Sequence, residues 1–445
     1  MSTTMSINKK FGISLVLGLS ISLMAMGQDV LTIDEAIQIA LENNYDIKVA
    51  KQNNEISQNN IYAGNAGLMP RLSVNASHSE SNNSNTLNFA PPDQPDIDAS
   101  GVGSDATAAS VDLSYTLFDG LGNVYNYKRL KSVGKGSDVQ TRIAIENTLT
   151  LTVASYLEVA RLREAYTISV ETTDISRDRY ERAKTRYEYG NALKIDLLTA
   201  EVDLNADSVA LSQAELELRN GKRDLNLLLA RDPSTEYDVS LDVDINENLV
   251  LQEVMEKAKA SNSNLLLTQT DLNTAELDMK IAKSAQMPRL TLNGSYGYNR
   301  SSSDVGFILS QSNLGFNAGL GLSMDIFDGN RKRRNIQNSK IAYETFETRL
   351  EQAEVELERD VMNAYDVYQN SLYLLDVERR NLATSELNFE RNQEAYNLGQ
   401  VTNTQLRDAQ LNLAQARTRI NNLSFTAKLA LIELLRLSGE LAPGS

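Results

Sequence analysis

The chain of 445 residues carries 59 acidic and 43 basic side chains, for a formal charge of −16, and it contains no Cys, no Trp and one His. The lack of cysteine excludes a disulfide framework, a thiolate metal site and a thiol nucleophile, and the negative charge argues against nucleic acid as a partner. With only 6% aromatic residues, the composition favours long solvated helices over one large globular core.

The first 27 residues are predicted to form a cleaved secretory signal peptide. Lys9 and Lys10 precede an apolar run from Phe11 to Met24, and small residues occupy the cleavage positions before Gln28. The alternative is a membrane-spanning helix, but the run is too short to cross a bilayer comfortably and polar residues follow at once. Cleavage would direct the rest of the chain into the cell envelope.

The remainder divides into two tandem halves. We assign a first repeat to residues 28–232, a linker to 233–247, a second repeat to 248–438 and a C-terminal tail to 439–445. Each repeat begins with helical apolar spacing, from Leu31 to about Ala66 and from Leu249 to Ala285. Both helices then reach a Met-Pro-Arg-Leu junction, at 69–72 and 287–290. Because proline cannot continue a helix and disfavours helical geometry in its predecessor, each junction predicts a switch to strand.

Alternation of apolar and polar residues follows each junction and predicts β-hairpins at about 71–118 and 289–327. The apolar members of the four runs are Leu72, Val74 and Ala76; Val111, Leu113, Tyr115 and Leu117; Leu290, Leu292, Tyr296 and Tyr298; and Ala318, Leu320, Leu322, Met324 and Ile326. The polar segments 80–105 and 299–317 are predicted to be loops. Each run fits a half-buried strand of a soluble sandwich or a strand that crosses a bilayer. No other apolar sheet is available to cover these strands, and together with the signal peptide this favours an outer-membrane barrel.

Four strands cannot close a barrel, and an open strand edge cannot face lipid. Two chains would supply eight strands around a filled interior, whereas three would supply twelve around water. The inward-facing set is rich in Gly, Ser, Thr and Asn, which favours a wet lumen. The predicted fold is therefore a membrane α+β protein: a trimeric twelve-stranded barrel with four strands per chain, continued by a long α-helical coiled-coil barrel.

A Phe-Asp-Gly turn signal ends each β-hairpin, at 118–120 and 327–329, and opens a long helical tract. Helical hairpins are predicted at about 124–230 with a tip near 190, and at about 331–437 with a tip near 399. The basic run from Arg331 to Arg334 follows the second turn. Two interpretations fit this run equally well: the side chains lie near lipid headgroups, or they form a charge cluster that is exposed to water.

The helices after the two tips repeat an apolar residue every seven positions, which predicts coiled-coil packing. The two seams contain Leu197, Leu204, Leu211, Leu218 and Leu225, and Leu406, Leu413, Ile420, Ala427 and Leu434. A second stripe of Val202, Val209 and Leu216 lies about 140° around the first of these helices, at roughly 100° per residue. A helix with two stripes has apolar neighbours on both sides, so helices joined in this way form a wall that can close into a tube.

The order and duplication of these motifs resemble the outer-membrane efflux proteins, the TolC-like family. The resemblance rests on the signal peptide, the tandem halves, the Met-Pro-Arg-Leu and Phe-Asp-Gly motifs and the Tyr-x-x-Gly tips at 187–190 and 396–399. It implies a homotrimer in the outer membrane of a Gram-negative bacterium, with a large periplasmic part. It also implies the exit duct of a tripartite efflux or type I secretion system, with a periplasmic adaptor, an inner-membrane transporter and outer-membrane lipid as partners.

The same resemblance implies two groups of functional residues. Adaptor docking falls on the tips, which are Tyr189, Gly190, Asn191 and Ala192, and Leu398, Gly399, Gln400 and Val401. The periplasmic entrance falls on Asp196, Asp408, Gln405 and Tyr396. Gln405 stands where the family often has a second acid, and Val401 stands where it often has the arginine of a gate lock. The glycines can instead serve only as left-handed turns, and the aspartates only as helix-start residues.

No nucleophile–base pair or convergent carboxylate pair stands out in the sequence, and the single histidine, His78, falls in a predicted strand. We therefore expect no enzyme activity, no cofactor and no metal site. The alternative function is a periplasm-spanning coiled-coil scaffold or an adhesin-like structural protein without transport. That alternative explains the heptads, but it leaves the four amphipathic strands without a role.

Overall fold

The computed structural model describes residues 30–87, 97–240, 248–304 and 308–441. The signal peptide predicted for residues 1–27 lies outside these ranges. The elements in chain order are β1 (Val30–Leu31), α1 (Ile33–Asn43), α2 (Tyr45–Asn59), β2 (Arg71–Leu87), β3 (Ile97–Phe118), α3 (Gly122–Glu188), α4 (Lys194–Leu228), β4 (Asp238–Val239), α5 (Leu251–Ser261), α6 (Ser263–Ser284), β5 (Arg289–Ser303), β6 (Ser310–Ser323), α7 (Arg331–Asn397) and α8 (Asn403–Leu437). None of the helices in these ranges is long and apolar enough to cross a membrane.

The two β-hairpins join into one antiparallel sheet of four strands, in the order β2-β3-β5-β6. Its register aligns Val74 with Val111, Val111 with Tyr296, and Tyr296 with Phe316. One apolar row therefore crosses all four strands on a single face. Polar residues one position along, such as Asn75 opposite Ser110, point to the other face because side chains alternate along a strand. The pairing confirms the predicted alternation, and it leaves β2 and β6 as the sheet edges.

The strands are longer than the predicted runs of about ten residues. β2 and β3 contain 17 and 22 residues, so residues 80–87 and 97–105 pair as strand instead of forming the predicted loop. In the second hairpin, β5 extends to Ser303 and β6 begins at Ser310. These serine- and asparagine-rich segments lack apolar alternation, but their backbone groups continue the ladder of the neighbouring strand. The prediction also ended the second hairpin too late, because β6 stops at Ser323.

Each helix predicted before a β-hairpin is in fact two helices, broken at an asparagine. Asn44 separates α1 from α2, and its Oδ1 accepts from the backbone N–H of Asp46 at 2.8 Å. Asn262 separates α5 from α6, and its Oδ1 accepts from the N–H of Leu265 at 3.0 Å. The amide group of each asparagine also donates to the end of a long helix, to Leu228 O at 2.9 Å and to Leu437 O at 3.1 Å. A helix cap and a tertiary bond therefore outweigh the helical periodicity at both breaks.

The long helices α3 and α7 contain 67 residues each, and α4 and α8 contain 35 each. At 1.5 Å per residue, a 67-residue helix is about 100 Å long. α3 packs against α4, α6 and α8, while α7 packs against α6 and α8. One apolar core lies where α1, α3 and α4 meet, around Ala36, Tyr156 and Leu225. A second core lies between α5, α7 and α8, around Ala258 and Val361.

The linker region contributes a small parallel sheet that anchors the start of the described chain. β1 pairs with β4 through Val30 opposite Asp238 and Leu31 opposite Val239. The hydroxyl of Tyr156 on α3 donates to Leu31 O at 2.9 Å and accepts from Ser240 N at 3.2 Å. The part of the predicted linker that the structure describes is therefore packed against α3.

The two predicted stripes of α4 have opposite environments. Leu218 and Leu225 of the first stripe are buried against the rest of the chain. Val202, Val209 and Leu216 of the second stripe are exposed. One chain therefore supplies packing partners for one side of α4 and leaves the other side open to solvent.

Candidate functional site

The predicted docking residues lie at the two turns that connect α3 to α4 and α7 to α8. After α3, Gly190 adopts φ +74°, and its N–H donates to Tyr187 O at 2.9 Å. The N–H of Asn191 donates to Arg186 O at 2.7 Å. This pair of bonds is a Schellman motif, which satisfies the last carbonyl groups of a helix and requires a left-handed residue. Glycine adopts that conformation without the steric cost of a Cβ atom.

The second tip repeats this geometry. Gly399 also has φ +74°, its N–H donates to Tyr396 O at 3.0 Å, and Gln400 N donates to Ala395 O at 2.8 Å. Apart from the two flanking residues, no atom of the described part of the chain lies within 4 Å of the position where a Cβ would stand on either tip glycine. Tyr189 and Leu398, which precede the glycines, are exposed at 77% and 72%. Each tip therefore presents an apolar side chain on a fixed turn.

Two of the predicted entrance residues cap helices. Asp196 is the third residue of α4, and its Oδ2 accepts from the backbone N–H of Leu193 at 3.3 Å. Gln405 occupies the corresponding place in α8, where its Oε1 accepts from Thr402 N at 2.8 Å and Thr402 Oγ1 accepts from Gln405 N at 3.2 Å. The helix-capping alternative therefore describes what Asp196 does within one chain, and Gln405 makes the equivalent bonds in α8.

The other two entrance residues differ in exposure. Asp408 lies on the exposed side of α8 and forms no hydrogen bond or ion pair in the described ranges. Tyr396 is buried in the last turn of α7. Within the chain, Asp196 bonds to Leu193 rather than to Tyr396.

A buried ionic cluster lies a few helical turns from the tips, and we call it the arginine cluster. It consists of Ser176 and Arg179 on α3, Asp203 and Asp207 on α4, and Arg407 and Gln410 on α8. Arg407 bonds Asp207 with both terminal nitrogens, Nη1 to Oδ2 at 2.6 Å and Nη2 to Oδ1 at 2.8 Å. Arg179 Nη2 donates to Asp203 Oδ2 at 3.0 Å. The cluster therefore ties the first helical hairpin to the second.

The two arginines of the cluster have different electrostatic environments. Burial lowers the pKa of Arg179 below its ordinary value. The charge of Asp203 and its hydrogen bond to Arg179 raise the pKa, but they do not cancel the effect of burial. Arg179 Nε is also buried and has no hydrogen-bond partner among the described residues, and the side chain is only 1% exposed. For Arg407, burial acts in the same direction, but the hydrogen bonds and charge of Asp207 outweigh it and raise the pKa. Both guanidinium groups remain charged at neutral pH, so each depends on its carboxylate.

The sequence contains a signal for this cluster that the heptad interpretation missed. Asp207 lies seven residues after Ala200, on the small-residue side of the seam, and both are buried. When the two repeats are aligned at their tip glycines, Asp207 falls on Ala416 and Arg407 falls on Leu198. One half thus has a charged residue where the other half has an apolar one. A charge at a seam position, unmatched in the second half, indicates a paired buried site.

Further polar contacts join the two hairpins close to the tips. Arg182 Nη1 on α3 donates to Asn397 Oδ1 at the end of α7, at 2.9 Å. Arg179 Nη1 donates to Asn403 Oδ1 at the start of α8, at 3.2 Å. No group of three or more His, Cys, Asp or Glu side chains that could hold a metal ion occurs in the part of the chain that the structure describes.

The chain matches a family model described as "Outer membrane efflux protein" over residues 36–231 and 254–440. Protein CyaE of Bordetella pertussis is 27% identical over 224 residues, which cover 50% of this chain and 47% of CyaE. The match thus spans about half the length of CyaE. Outer membrane protein TolC of Vibrio cholerae is 21% identical over 391 residues, which cover 86% of this chain and 84% of that protein.

Solved structures share the fold over nearly the whole described chain. The CmeC outer membrane channel of Campylobacter jejuni has a TM-score of 0.78 at 17% identity, covering 92% of this chain and 85% of CmeC. The MtrE outer membrane channel of Neisseria gonorrhoeae, solved in its open state, has a TM-score of 0.72 at 17% identity. The match covers 92% of this chain and 89% of MtrE. The family model matches most of both halves, and the chain therefore belongs to the outer membrane efflux protein family.

Proposed function

We propose that three copies of this chain form the exit duct of a tripartite efflux or type I secretion system. The protein lies in the outer membrane of a Gram-negative bacterium, with a large helical part in the periplasm. In the proposed assembly, the tandem repeats of each chain contribute four strands to a twelve-stranded barrel and four long helices to a tunnel below it. Substrates pass passively from an inner-membrane transporter and a periplasmic adaptor to the outside, without catalysis or a cofactor.

The proposal rests on two surfaces that one chain leaves without a packing partner: the edges of its sheet and one apolar side of α4. The described sheet ends at β2 and β6, and unpaired strand edges are not tolerated in lipid. The second stripe of α4, Val202, Val209 and Leu216, is exposed. Each such side chain contributes about 1.5–3 kcal/mol when fully buried. Neighbouring copies would complete the sheet and cover the stripe in one step.

We expect the purified protein to form a detergent-stable trimer that conducts ions steadily in a planar bilayer. Native mass spectrometry gives the number of chains, and bilayer recordings of the same sample give the conductance. The Val202→Ser, Val209→Ser, Leu216→Ser variant should weaken the trimer while leaving the helix content unchanged, because these side chains are exposed on one chain. A folded monomer with a closed barrel would contradict the assembly. Trimers without conductance would favour the scaffold or adhesin-like alternative.

We further propose that the two tips dock the periplasmic adaptor. Gly190→Val and Gly399→Val should sharply reduce capture of the partner adaptor while leaving the trimer intact. Space is available for the added side chain, so the loss of stability is limited to about 1–2 kcal/mol for a left-handed valine. The measurement is adaptor pull-down from the native envelope, beside native mass spectrometry of each variant.

Ala230 offers a matched control for the tip variants. It ends α4 at the opposite extreme of the hairpin, in the same left-handed region with φ 51°. Ala230 already has a Cβ in this region, so Ala230→Val places the same branched side chain on a left-handed backbone with a smaller added cost, and it should leave adaptor capture unchanged. If the tip variants fail to assemble, the glycines are structural and the docking proposal fails. Equal loss of capture in the Ala230 variant would also contradict a local role for the tips.

A further inference from the structure

The proposed conduction and adaptor docking leave unexplained an exposed surface at the junction between the strands and the long helices. It consists of Ile326, Phe327, Arg331, Arg333 and Arg334, and we call it the junction patch. Ile326 is 97% exposed and Phe327 is 80% exposed. The three arginines follow in the first turn of α7 and are also exposed. Within one chain, two uncovered apolar side chains therefore lie beside three cations in the sequence.

The arginines of the patch are in an electrostatically unfavourable place. The N-terminus of a helix is its positive end, where acidic residues are stabilising and cations are not. The first turn of α7 nevertheless contains no acid. Arg331 is 3.9 Å from Asp328, while Arg333 and Arg334 form no ion pair in the described ranges. The chain itself therefore supplies too little negative charge to balance this helix start.

Lys332 shows the contrast with a cation that is satisfied internally. Its Nζ pairs with Asp325 Oδ2 at 3.0 Å, and its side chain is 21% exposed. Its backbone N–H donates to Asp328 Oδ2 at 3.0 Å. Lys332 is therefore the main partner of the two nearby carboxylates. Within the described ranges, Arg331 has only the long ion pair to Asp328, and Arg334 has one hydrogen bond, from Nη1 to Gln337 Oε1 at 3.3 Å.

The spacing of the patch fits the edge of a bilayer. One helical turn rises about 5.4 Å, and the headgroup layer on each side of the hydrocarbon core is roughly 5–8 Å thick. With Ile326 and Phe327 at the edge of the hydrocarbon, the first turn of α7 stays within the headgroup layer. The exposed residues Leu320 and Leu322 of β6 continue the apolar surface on the strand side.

The first half of the chain presents a similar combination at the start of α3. Lys128 lies over the ring of Tyr125 at 5.9 Å from its centroid, and Lys131 lies over the ring of Tyr127 at 4.7 Å. Both lysines are exposed. Tyrosine rings and long cationic side chains are typical of membrane–water interfaces. Cationic and aromatic side chains therefore also lie in the first three turns of α3, at the end of the sheet where α7 begins.

We propose that the junction patch binds the phosphate headgroups of anionic phospholipids in the periplasm-facing leaflet of the outer membrane. Guanidinium groups match phosphate oxygens with two parallel hydrogen bonds. A lipid explains the apolar pair as well as the arginines, whereas a free phosphate ion would leave Ile326 and Phe327 without a partner. This binding requires an outer-membrane location but neither conduction nor an adaptor.

The test is lipid retention by the delipidated full-length protein in neutral detergent, followed by native mass spectrometry. Phosphatidylglycerol is the anionic probe, phosphatidylcholine is the zwitterionic one, and inorganic phosphate is the competitor. The wild type should retain phosphatidylglycerol preferentially. The Arg331→Gln, Arg333→Gln, Arg334→Gln variant should lose about fivefold in affinity per arginine, and the wild-type preference should decline as salt is added.

Matched variants separate the patch from the total charge of the protein. Arg177→Gln, Arg219→Gln, Arg380→Gln removes three exposed arginines from the body of the long helices and should leave the preference unchanged. Replacing the patch arginines with lysine should restore most of the preference, and Phe327→Ser should weaken retention of both lipids. The proposal is overturned if the glutamine variant keeps its preference, if the distant control loses it equally, or if inorganic phosphate displaces the lipid.

Discussion

Replacing Arg407 with leucine is expected to lower the free energy of unfolding by about 3–5 kcal/mol, because Asp207 would remain buried without the guanidinium group that pairs with it directly. Asp207 accepts two hydrogen bonds from this guanidinium, and its side chain is 10% exposed. Ser176 Oγ also bonds Asp207 Oδ2, but a hydroxyl cannot neutralise the carboxylate. The loss should loosen the contact between the two helical hairpins near the tips.

The double variant Asp207→Ala, Arg407→Leu should be far milder, at less than about 1.5 kcal/mol. Replacing a buried ion pair with apolar residues is often close to neutral, whereas removing one partner is not. In the other half, Ala416 and Leu198 occupy the aligned positions, and Ala416 is buried whereas Leu198 is exposed. An alanine at the position aligned with Asp207 is therefore compatible with close helix packing.

The coupling energy of the pair is measured by unfolding in guanidinium chloride. The proteins compared are the wild type, Arg407→Leu, Asp207→Ala and the double variant. Amide hydrogen exchange across residues 403–413 shows where the chain loosens. The single variants should exchange faster there, and the double variant should resemble the wild type. If the double variant is as unstable as the sum of the single variants, the two side chains are not energetically coupled.

Neutralising the entrance acids is expected to change conduction instead of stability. In the proposed trimer, Asp196 and Asp408 supply six carboxylates around the periplasmic end of the tunnel, which would concentrate cations and favour block by multivalent ones. The Asp196→Asn, Asp408→Asn variant should lose most of the cation selectivity and weaken divalent block by about tenfold or more. The amide oxygen introduced at position 196 can still accept from Leu193 N, as the Asp196 carboxylate does, so the helix start should lose only about 0.3–1 kcal/mol.

Two further variants control for the position and sign of the charge. Gln405→Glu adds an acid at the third residue of α8. A glutamate carboxylate can accept the capping hydrogen bond from Thr402 N as well as the glutamine side chain does. It should strengthen divalent block from the periplasmic side. Glu201→Gln removes an exposed acid further along α4 and should have little effect. Unchanged block and selectivity in the double asparagine variant would place these aspartates away from the pore axis, as ordinary helix-start residues.

Local signals in the sequence were sufficient for the elements whose ends depend on local chemistry. Gly190 and Gly399 mark the turns between long helices because a Schellman ending needs a left-handed residue. The alternation through Leu292 and Tyr296 marks strands because side chains alternate along an extended backbone. The strand lengths were wrong because the polar segments 80–87 and 97–105 pair through backbone groups, which carry no side-chain pattern. The breaks at Asn44 and Asn262 were missed because each depends on one side chain that caps a helix and bonds a distant carbonyl.

By itself, the sequence of this protein determined the four amphipathic strands, the two long helical hairpins and the positions of their tips, because proline, glycine and apolar spacing act over a few residues. Only the tertiary structure decided which polar side chains meet. Arg407 and Asp207 are 200 residues apart, and two long helices with repeating seams can slide past each other by a heptad without changing their apolar pattern. The packing of α3, α4 and α8 selects one such alignment, in which the seam charge of Asp207 faces Arg407, because any other would leave a buried carboxylate unpaired.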